Sequence, residues 1–352
     1  MKLSVSLTVA TLAISFVFCT LMLARIVGQV PIPTSNGNLS QPQPPMELVV
    51  QRPTDLALDG NGSLFVIESL GTIRILRIGL YSGLVETYAG NGDQTYSGDN
   101  GPAIKAGLGF PTSIAVDSKG NLYISSLDGK IRRVDAKSKL IKTFAGNGRF
   151  SQNGFGDDGP CEIAGFGRPT DMVFDSMDNL FVVDDLDHRV RRIDADSRVI
   201  TTYLGGELTK RGDGSSAATT TLKFPNSIGL DSNGNLYIAD FGNHRVLLVD
   251  VLRMVIKTIA GNGGEADTRI PGSAINTSLR NPRNIAVDGS GNLYVNGGWG
   301  HEILRVDSFS GMMSRYVGNG RAGFSGDGGK ASNARISAPS GMVIDKSGNL
   351  YF

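Results

Sequence analysis

The chain has 352 residues, of which 47 are glycine and 40% are hydrophobic. That length suits one large domain or two modest ones with a packed core. The 34 basic and 33 acidic side chains leave a net charge of +1, without the basic excess that is typical of nucleic-acid binding. Of the two cysteines, Cys19 lies in an apolar N-terminal run, so Cys161 has no disulfide partner in the rest of the chain.

The first predicted element is a leader over residues 1–28. Residues 3–24 carry no charge and lie between Lys2 and Arg25, and a run of this length is able to span a bilayer. The small residues that mark a cleavage site are poorly matched, so a cleaved signal peptide and an uncleaved signal anchor both stay open. Either one predicts a secreted or extracytoplasmic protein, or a membrane-anchored protein with its folded part outside. Residues 29–50 are rich in Pro, Gln and Ser and predict an extended linker.

The remaining chain, residues 51–352, is an internal repeat. Its units start near residues 53, 111, 169, 225, 282 and 339, at steps of 56 to 58. Each unit carries a proline at its start, a leucine followed by Phe or Tyr, and an aspartate in a turn. The turn aspartates are Asp59, Asp117, Asp175, Asp231, Asp288 and Asp345. An aspartate in such a turn accepts hydrogen bonds from nearby backbone N–H groups, so these residues are expected to be structural.

Each unit reads as four short strands. In the second unit these are residues 113–117, 122–126, 130–135 and 140–146, separated by Gly, Asn, Asp and Ser. Four antiparallel strands repeated about every 57 residues predict a β-propeller, an all-β fold. The residue at the middle of each first strand is small, as crowding near the axis requires. These residues are Ala57, Ala115, Val173, Gly229, Ala286 and Val343.

The segment "DSNGNLYIADFGNHRVLLVD" (231–250) resembles an NHL repeat, and residues 175–194 and 288–307 match it. The connector "YAGNGDQTYSGDNGPA" (88–103) resembles that of the long-repeat, teneurin-like NHL subtype. The resemblance covers about residues 50–352 and implies an NHL-type propeller, usually with six blades. In the sixth unit, "DKSGNLYF" (345–352) reaches only the second strand. The sixth blade is therefore expected to be incomplete in this chain, which predicts a fragment, an open ring, or a ring continued on another chain.

One group of residues suggests a metal site. Glu68, Asp184 and Asp240 share one register at the end of the second strand. In propeller lyases and lactonases, calcium or zinc binds at the central mouth, and these oxygen ligands would suit calcium. The alternative is that an acidic residue here belongs to the ordinary repeat pattern. No cofactor other than calcium is indicated.

Trp299, three histidines and the arginines of the third strands are further candidates for a functional role. Trp299, the only tryptophan, lies in a glycine-rich turn and is either a binding residue or packed on its own blade. His188, His244 and His301 share one register and are expected to be structural. The arginines of the third strands are each followed by an aspartate, and cross-strand ion pairs on a solvated sheet are expected there.

The function that the sequence predicts is an exported or membrane-tethered propeller that serves as a protein- or glycan-binding scaffold. No motif of a catalytic nucleophile is present in the sequence. No nucleic-acid partner is expected, and the membrane is a partner through the N-terminal segment if that segment is not cleaved. The alternative is a metal-dependent lyase or hydrolase with its site at the central mouth.

Overall fold

A computed structural model describes residues 5–6, 23–28, 46–150, 154–206, 220–264, 271–297 and 300–352. Five complete blades follow each other along the chain, each an antiparallel sheet in sequence order from the innermost strand outward. The first blade comprises β4 (Pro53–Leu58), β5 (Ser63–Glu68), β6 (Ile73–Gly79) and β7 (Val85–Gly92). The second comprises β8 (Pro111–Val116), β9 (Leu122–Ser126), β10 (Lys130–Val134) and β11 (Ile141–Ala145).

The next three blades repeat this order. The third comprises β13 (Pro169–Phe174), β14 (Leu180–Asp184), β15 (Arg189–Ile193) and β16 (Val199–Gly205), with β12 (Gly159–Pro160) added outside β16. The fourth comprises β17 (Ser227–Leu230), β18 (Leu236–Asp240), β19 (Arg245–Asp250) and β20 (Val255–Ala260). The fifth comprises β22 (Ile285–Val287), β23 (Leu293–Asn296), β24 (Ile303–Val306) and β25 (Met312–Val317), with β21 (Gly272–Ser273) outside β25.

These strands confirm the all-β propeller and its four-stranded blades. Every residue of the second strands β5, β9, β14, β18 and β23 is buried, because neighbouring blades cover both faces of each sheet. Helical structure in the described residues is confined to 3-10 turns, at Ala103–Lys105, Phe241–Asn243, Ala274–Asn276 and Ala331–Asn333.

The sixth unit contains two strands, β26 (Val343–Ile344) and β27 (Leu350–Tyr351), which pair only with each other. Val343 and Tyr351 pack against the buried cluster of the first blade. On the other side, Leu350 packs with residues of the fifth blade. The hydroxyl of Ser340 donates to the carbonyl of Pro53 at 3.0 Å, so the sixth unit contacts both ends of the row of five blades. The structure thus shows five complete blades and two strands of a sixth unit, and a six-bladed ring stays a prediction.

The predicted leader and linker fall mostly on residues outside the described ranges, and both stay predictions. Within them, β1 (Val5–Ser6), β2 (Leu23–Gly28) and β3 (Met46–Gln51) form a separate three-stranded sheet. In the part of the chain that the structure describes, no helix is long and apolar enough to cross a lipid bilayer.

Candidate binding surface

The predicted metal ligands each hold the segment that leads into the first strand of their own blade. Glu68 accepts the backbone N–H of Gln51 at 2.7 Å. Asp184 accepts those of Gly167 and Arg168 at 2.9 and 2.8 Å. Burial, the largest cause, raises the pKa of Asp184 to about 6. Because these carboxylates already accept two or more hydrogen bonds each, counting Arg74 on Glu68, their oxygens are engaged within one blade.

Asp240 is held in the same way, by the N–H of Lys223 at 2.8 Å and by Nε of Arg245 at 2.9 Å. Within the described ranges, no group of three or more His, Cys, Asp or Glu side chains is placed to hold a metal ion. The structure therefore does not bring Glu68, Asp184 and Asp240 together, and a calcium or zinc site on them stays a prediction.

The turn aspartates adopt one geometry throughout the repeat. In the second blade, Oδ1 of Asp117 accepts the N–H groups of Lys119 and Asn121 at 3.0 and 2.8 Å, and Oδ2 accepts Nδ2 of Asn121 at 2.7 Å. The Asn121 Oδ1 atom in turn accepts the N–H of Ala136 at 3.0 Å, which joins the two turns at this end of the blade. Asp175, Asp231, Asp288 and Asp345 repeat the bond to the asparagine amide. Asp59 makes only the backbone bonds, from Asn61 and Ser63, because Ser63 stands where the other units have asparagine. A purely structural role for the six aspartates stays a prediction.

Trp299 lies outside the described residues, so its role as a binding residue stays a prediction. The connectors over residues 203–222 and 259–274, which diverge from the repeat, also fall in part on residues outside the described ranges.

The histidines link neighbouring blades. Nδ1 of His188 accepts the backbone N–H of Phe224 at 3.0 Å, and Nδ1 of His244 accepts that of Asn281 at 3.2 Å. Both donors precede the proline that starts the next blade, and both have a left-handed φ, +48° and +51°. His301 makes the same bond, to Ala338 at 3.1 Å. The imidazoles therefore hold a backbone conformation that non-glycine residues seldom adopt.

Two aspartates on first strands, the buried Asp55 and the half-buried Asp171, link blades near the axis. Oδ2 of Asp55 accepts the N–H of Ile114 at 2.9 Å, and Oδ2 of Asp171 accepts that of Ile228 at 2.9 Å. The Ser113 hydroxyl donates to Oδ1 of Asp171 at 3.2 Å. Burial first, and the charge of Asp171 second, raise the pKa of Asp55 to about 8. Burial likewise raises the pKa of Asp171.

Two third-strand arginines differ from the expected exposed ion pairs. Arg132 and Arg191 are only 1% and 0% exposed. The guanidinium of Arg132 lies 2.6 Å from the Asp99 carboxylate and donates to the carbonyls of Gly107 and Ser97 at 2.9 and 2.8 Å. The expectation of a solvated pair is therefore wrong for these two residues, because the incoming connector covers them.

Arg191 binds the next connector in the same manner. Its guanidinium lies 2.7 Å from the Asp157 carboxylate and donates to the carbonyl of Gly165 at 2.8 Å. The expected exposed pairs do form at the adjacent positions, between Arg133 and Asp135 and between Arg192 and Asp194, each at 3.0 Å. The sequence did contain a signal for these buried pairs. A Gly-Asp connector, residues 98–99 or 156–157, precedes a third strand with two consecutive arginines in both blades. Alignment of the repeats alone does not show that the two features are in contact.

Four large apolar side chains are exposed in the connectors and in one turn of the second and third blades. We call Phe110, Leu127, Phe150 and Phe155 the connector-face patch. They are 51%, 51%, 63% and 59% exposed. The N–H of Leu127 donates to the carbonyl of Phe110 at 3.0 Å, and Phe150 forms a β-bridge with the buried Phe166. Exposed aromatic side chains on loops are typical of interaction sites.

The profile of the teneurin NHL domain matches residues 85–270, which is more than half of the chain. The chain belongs to the teneurin NHL domain family. This assignment agrees with the four-stranded antiparallel blades of the structure.

Individual relatives of this NHL propeller are distant. It is 23% identical over 257 residues to the Arabidopsis thaliana protein Suppressor of Quenching 1, chloroplastic, covering 70% of this chain and 24% of that protein. It is 27% identical over 238 residues to mouse (Mus musculus) Teneurin-1, covering 60% of this chain and 9% of Teneurin-1. The chain thus spans about a quarter or less of the length of these relatives.

Among solved structures, an auxiliary nutrient binding protein from Bacteroides thetaiotaomicron superposes on the NHL propeller with a TM-score of 0.59 at 15% identity. The match covers 84% of this chain and 64% of that chain. Such a similarity supports the propeller fold alone.

Proposed function

We propose that this chain is an exported or membrane-tethered NHL propeller that acts as a binding scaffold for a protein or a glycan. The observation that carries the proposal is the connector-face patch, where four large apolar side chains are each exposed by half or more. Exposed aromatic rings on loops offer rigid contact area for a protein and a stacking surface for a sugar ring. Binding would then be spread over several loops, because a rigid scaffold holds binding residues in place on its loops.

The engaged carboxylates also support a scaffold. Glu68, Asp184 and Asp240 each bind backbone N–H groups of their own blade, so a ligand or metal ion would have to compete with those bonds. The axial residues Asp55 and Asp171 are likewise bonded to the next blade. Export is supported by the uncharged N-terminal run of residues 3–24.

Binding is tested with the full chain on arrays of glycans and of purified extracellular proteins. Replacing Phe150 and Phe155 together by serine is expected to weaken binding at least about tenfold, since truncated hot-spot residues cost more than 1 kcal/mol. The matched control is Phe309→Ser, a fully exposed phenylalanine in the turn between β24 and β25. A ligand that binds both variants equally well would contradict the role of the patch.

Export is tested separately, by cell fractionation and by the access of external protease to the intact cell. We expect the propeller to be accessible from outside, or to be recovered from the medium. A propeller that is protected inside the cell would contradict export but would leave the binding test unaffected.

The metal-dependent lyase or hydrolase stays the alternative. It requires a bound calcium or zinc ion in the purified chain and a loss of that ion on substitution of Glu68, Asp184 or Asp240. Elemental analysis of the purified protein therefore separates the two functions directly.

A further inference from the structure

A cavity of about 230 Å³ lies against the two outer strands of the second blade, next to the connector that enters this blade. Its volume is that of about eight molecules of liquid water, so it has room for one small polar group or one sugar residue. Six of the lining residues matter for its chemistry, namely Asn100, Arg133, Asp135, Ser138, Leu140 and Lys142.

Two cations lie side by side in this lining. Arg133 is directly opposite Lys142 in the register of β10 and β11. Like charges in such a position destabilise a sheet. The equivalent pairs in the other complete blades avoid this, being Arg77 with Glu86, Arg192 with Thr201, Leu248 with Lys257 and Arg305 with Ser314. Among the five complete blades, the second alone concentrates positive charge at this position.

A single carboxylate offsets part of this charge. Asp135 lies 3.0 Å from the guanidinium of Arg133. Hydrogen bonds from the backbone N–H and the hydroxyl of Ser138 lower the pKa of Asp135, so its carboxylate is ionised. With two cations and one carboxylate, the lining keeps a net charge of +1. Nε of Arg133 has no hydrogen-bond partner among the described groups, so Asp135 does not use all of its donors.

The backbone edge beside the cavity is already paired. The Asn100 N–H donates to the carbonyl of Ile141 at 2.7 Å, and the Ile141 N–H donates to that of Gly101 at 3.0 Å. A peptide therefore cannot add to β11 here as a further strand. Leu140 is 44% exposed and offers an apolar surface next to the amide of Asn100 and the hydroxyl of Ser138. Because a sugar ring presents C–H groups together with hydroxyls, this lining suits a sugar better than a peptide.

We propose that this cavity binds an acidic sugar residue, with Arg133 and Lys142 holding its carboxylate and with Asn100 and Leu140 contacting its ring. The planar fork of an arginine and the point charge of a lysine are the side chains that recognise a carboxylate. The residues of the connector-face patch are not among those that line the cavity. The inference therefore goes beyond the proposed function and does not depend on it.

The third blade contains the same position with the opposite charge balance. By alignment of the repeats, Asp158 takes the place of Asn100 and Thr201 takes that of Lys142, whereas the arginine–aspartate pair is retained at 3.0 Å. One cation and two carboxylates then occupy the position, which disfavours an anion. Asn100 and Asp158 both have a left-handed φ, +65° and +62°, so either residue can replace the other without a change of backbone.

The test titrates the full chain with methyl glucuronide, a sugar with one carboxylate, in an isothermal titration calorimeter. We expect saturable binding. Methyl glucoside, which lacks the carboxylate, should bind at least about tenfold more weakly, because it cannot form the charge-assisted bonds. Lys142→Thr and Asn100→Asp introduce the residues of the third blade, and each should weaken the binding of methyl glucuronide about tenfold.

The control is Lys257→Thr, which removes the exposed lysine at the equivalent position of the fourth blade, opposite Leu248. It should leave the affinity unchanged. Lys142→Thr removes a like-charge pair, so its Tm without sugar should equal or exceed that of the unchanged chain. A loss of binding in this variant is then a loss of the contact and not of the fold.

Two results would overturn the proposal directly, namely no saturable binding of methyl glucuronide, or equal binding by the unchanged chain and by Lys142→Thr. A blocked glutamate, N-acetylglutamate methylamide, tests the other source of a carboxylate. If it binds as tightly as the sugar, the cavity recognises an acidic protein side chain instead. Binding that is lost only when Phe150 and Phe155 are replaced would assign the sugar to the connector-face patch, so the two proposals fail separately.

Discussion

Arg132 and Asp99 lie 2.6 Å apart, and they belong to different parts of the chain: one to the third strand of the second blade, the other to the connector that enters it. The arginine is 1% exposed, so its charge is buried beneath the connector. A buried charge is tolerated only when it is paired and hydrogen-bonded. The connector and the blade therefore depend on each other, and the glycine-rich connector of residues 88–103 is a structural joint.

The first prediction concerns this pair. Arg132→Leu leaves the carbonyls of Ser97 and Gly107 without this donor and leaves Asp99 with its bonds from Thr143 alone among the close ones. Breaking one side of a buried pair costs about 3–5 kcal/mol, and because Asp99 is 30% exposed we expect a loss near the lower end of this range. Asp99→Asn together with Arg132→Leu should cost clearly less than the sum of the single changes. Urea unfolding of the four proteins in the cycle measures the coupling.

The matched control is Arg133→Leu in the same strand, whose partner Asp135 is half-exposed. Exposed pairs contribute about 0–1 kcal/mol, so this change should have little effect. Strictly additive free energies for Arg132 and Asp99 would show that the pair does not couple blade and connector.

A second prediction concerns the histidine links. His244→Ala removes the acceptor for the backbone N–H of Asn281 and should lower the free energy of unfolding by about 1–3 kcal/mol. Lys257→Ala, at an exposed position of β20, is the control and should change it by less than about 0.5 kcal/mol. If both variants unfold at the same urea concentration, the imidazole does not stabilise the joint between the fourth and fifth blades.

A third prediction separates backbone strain from steric contact at the repeated glycines. Gly146 has φ +89°, and a Cβ there would lie 2.2 Å from the carbonyl oxygen of Gly129. Gly120 has a similar φ of +81° but open space, with its nearest neighbour at 3.7 Å. Alanine at Gly120 should cost about 1 kcal/mol, from strain alone, whereas alanine at Gly146 should cost at least about 2 kcal/mol more. Equal losses of Tm in the two variants would be inconsistent with the clash.

The repeat explains which features could be predicted from the sequence. Periodic Pro, Asp and Leu-aromatic positions fixed the strands of the second unit within two residues, because each one marks a local turn or a buried strand. The clasp of Asp99 by Arg132 and the link of His244 to Asn281 join residues 33 and 37 positions apart. Local propensity contains no information on such contacts. The same limit applies to Glu68. Its repeat position suggests a metal ligand, whereas in the structure its carboxylate accepts hydrogen bonds from Gln51 and Arg74.

A fourth prediction follows for the predicted metal ligands. Asp184→Asn keeps one acceptor for Gly167 or Arg168 and loses the other, so we expect a loss of stability of about 1–3 kcal/mol. Calcium or zinc at millimolar concentration should shift the Tm of the unchanged chain and of the variant equally. A metal-induced rise in Tm that disappears in Asp184→Asn would instead establish Asp184 as a ligand.

The last prediction is a pH dependence set by Asp55. An unfolded aspartate titrates near pH 3.9, whereas burial and the charge of Asp171 raise the folded pKa of Asp55 to about 8. Between these values the folded chain holds a proton that the unfolded chain has lost. The stability that this group contributes is therefore full below about pH 4 and is lost as the pH rises towards 8. Asp55→Asn removes this dependence. The free energy of unfolding of the variant, relative to that of the unchanged chain, should therefore rise by on the order of a few kcal/mol from pH 5 to pH 8. Chemical unfolding across that range measures this difference.

Asp135→Asn is the control, since hydrogen bonds from Ser138 lower the pKa of Asp135 and place its effect below this pH range. A constant difference between Asp55→Asn and the unchanged chain from pH 5 to pH 8 would show that Asp55 is ionised throughout.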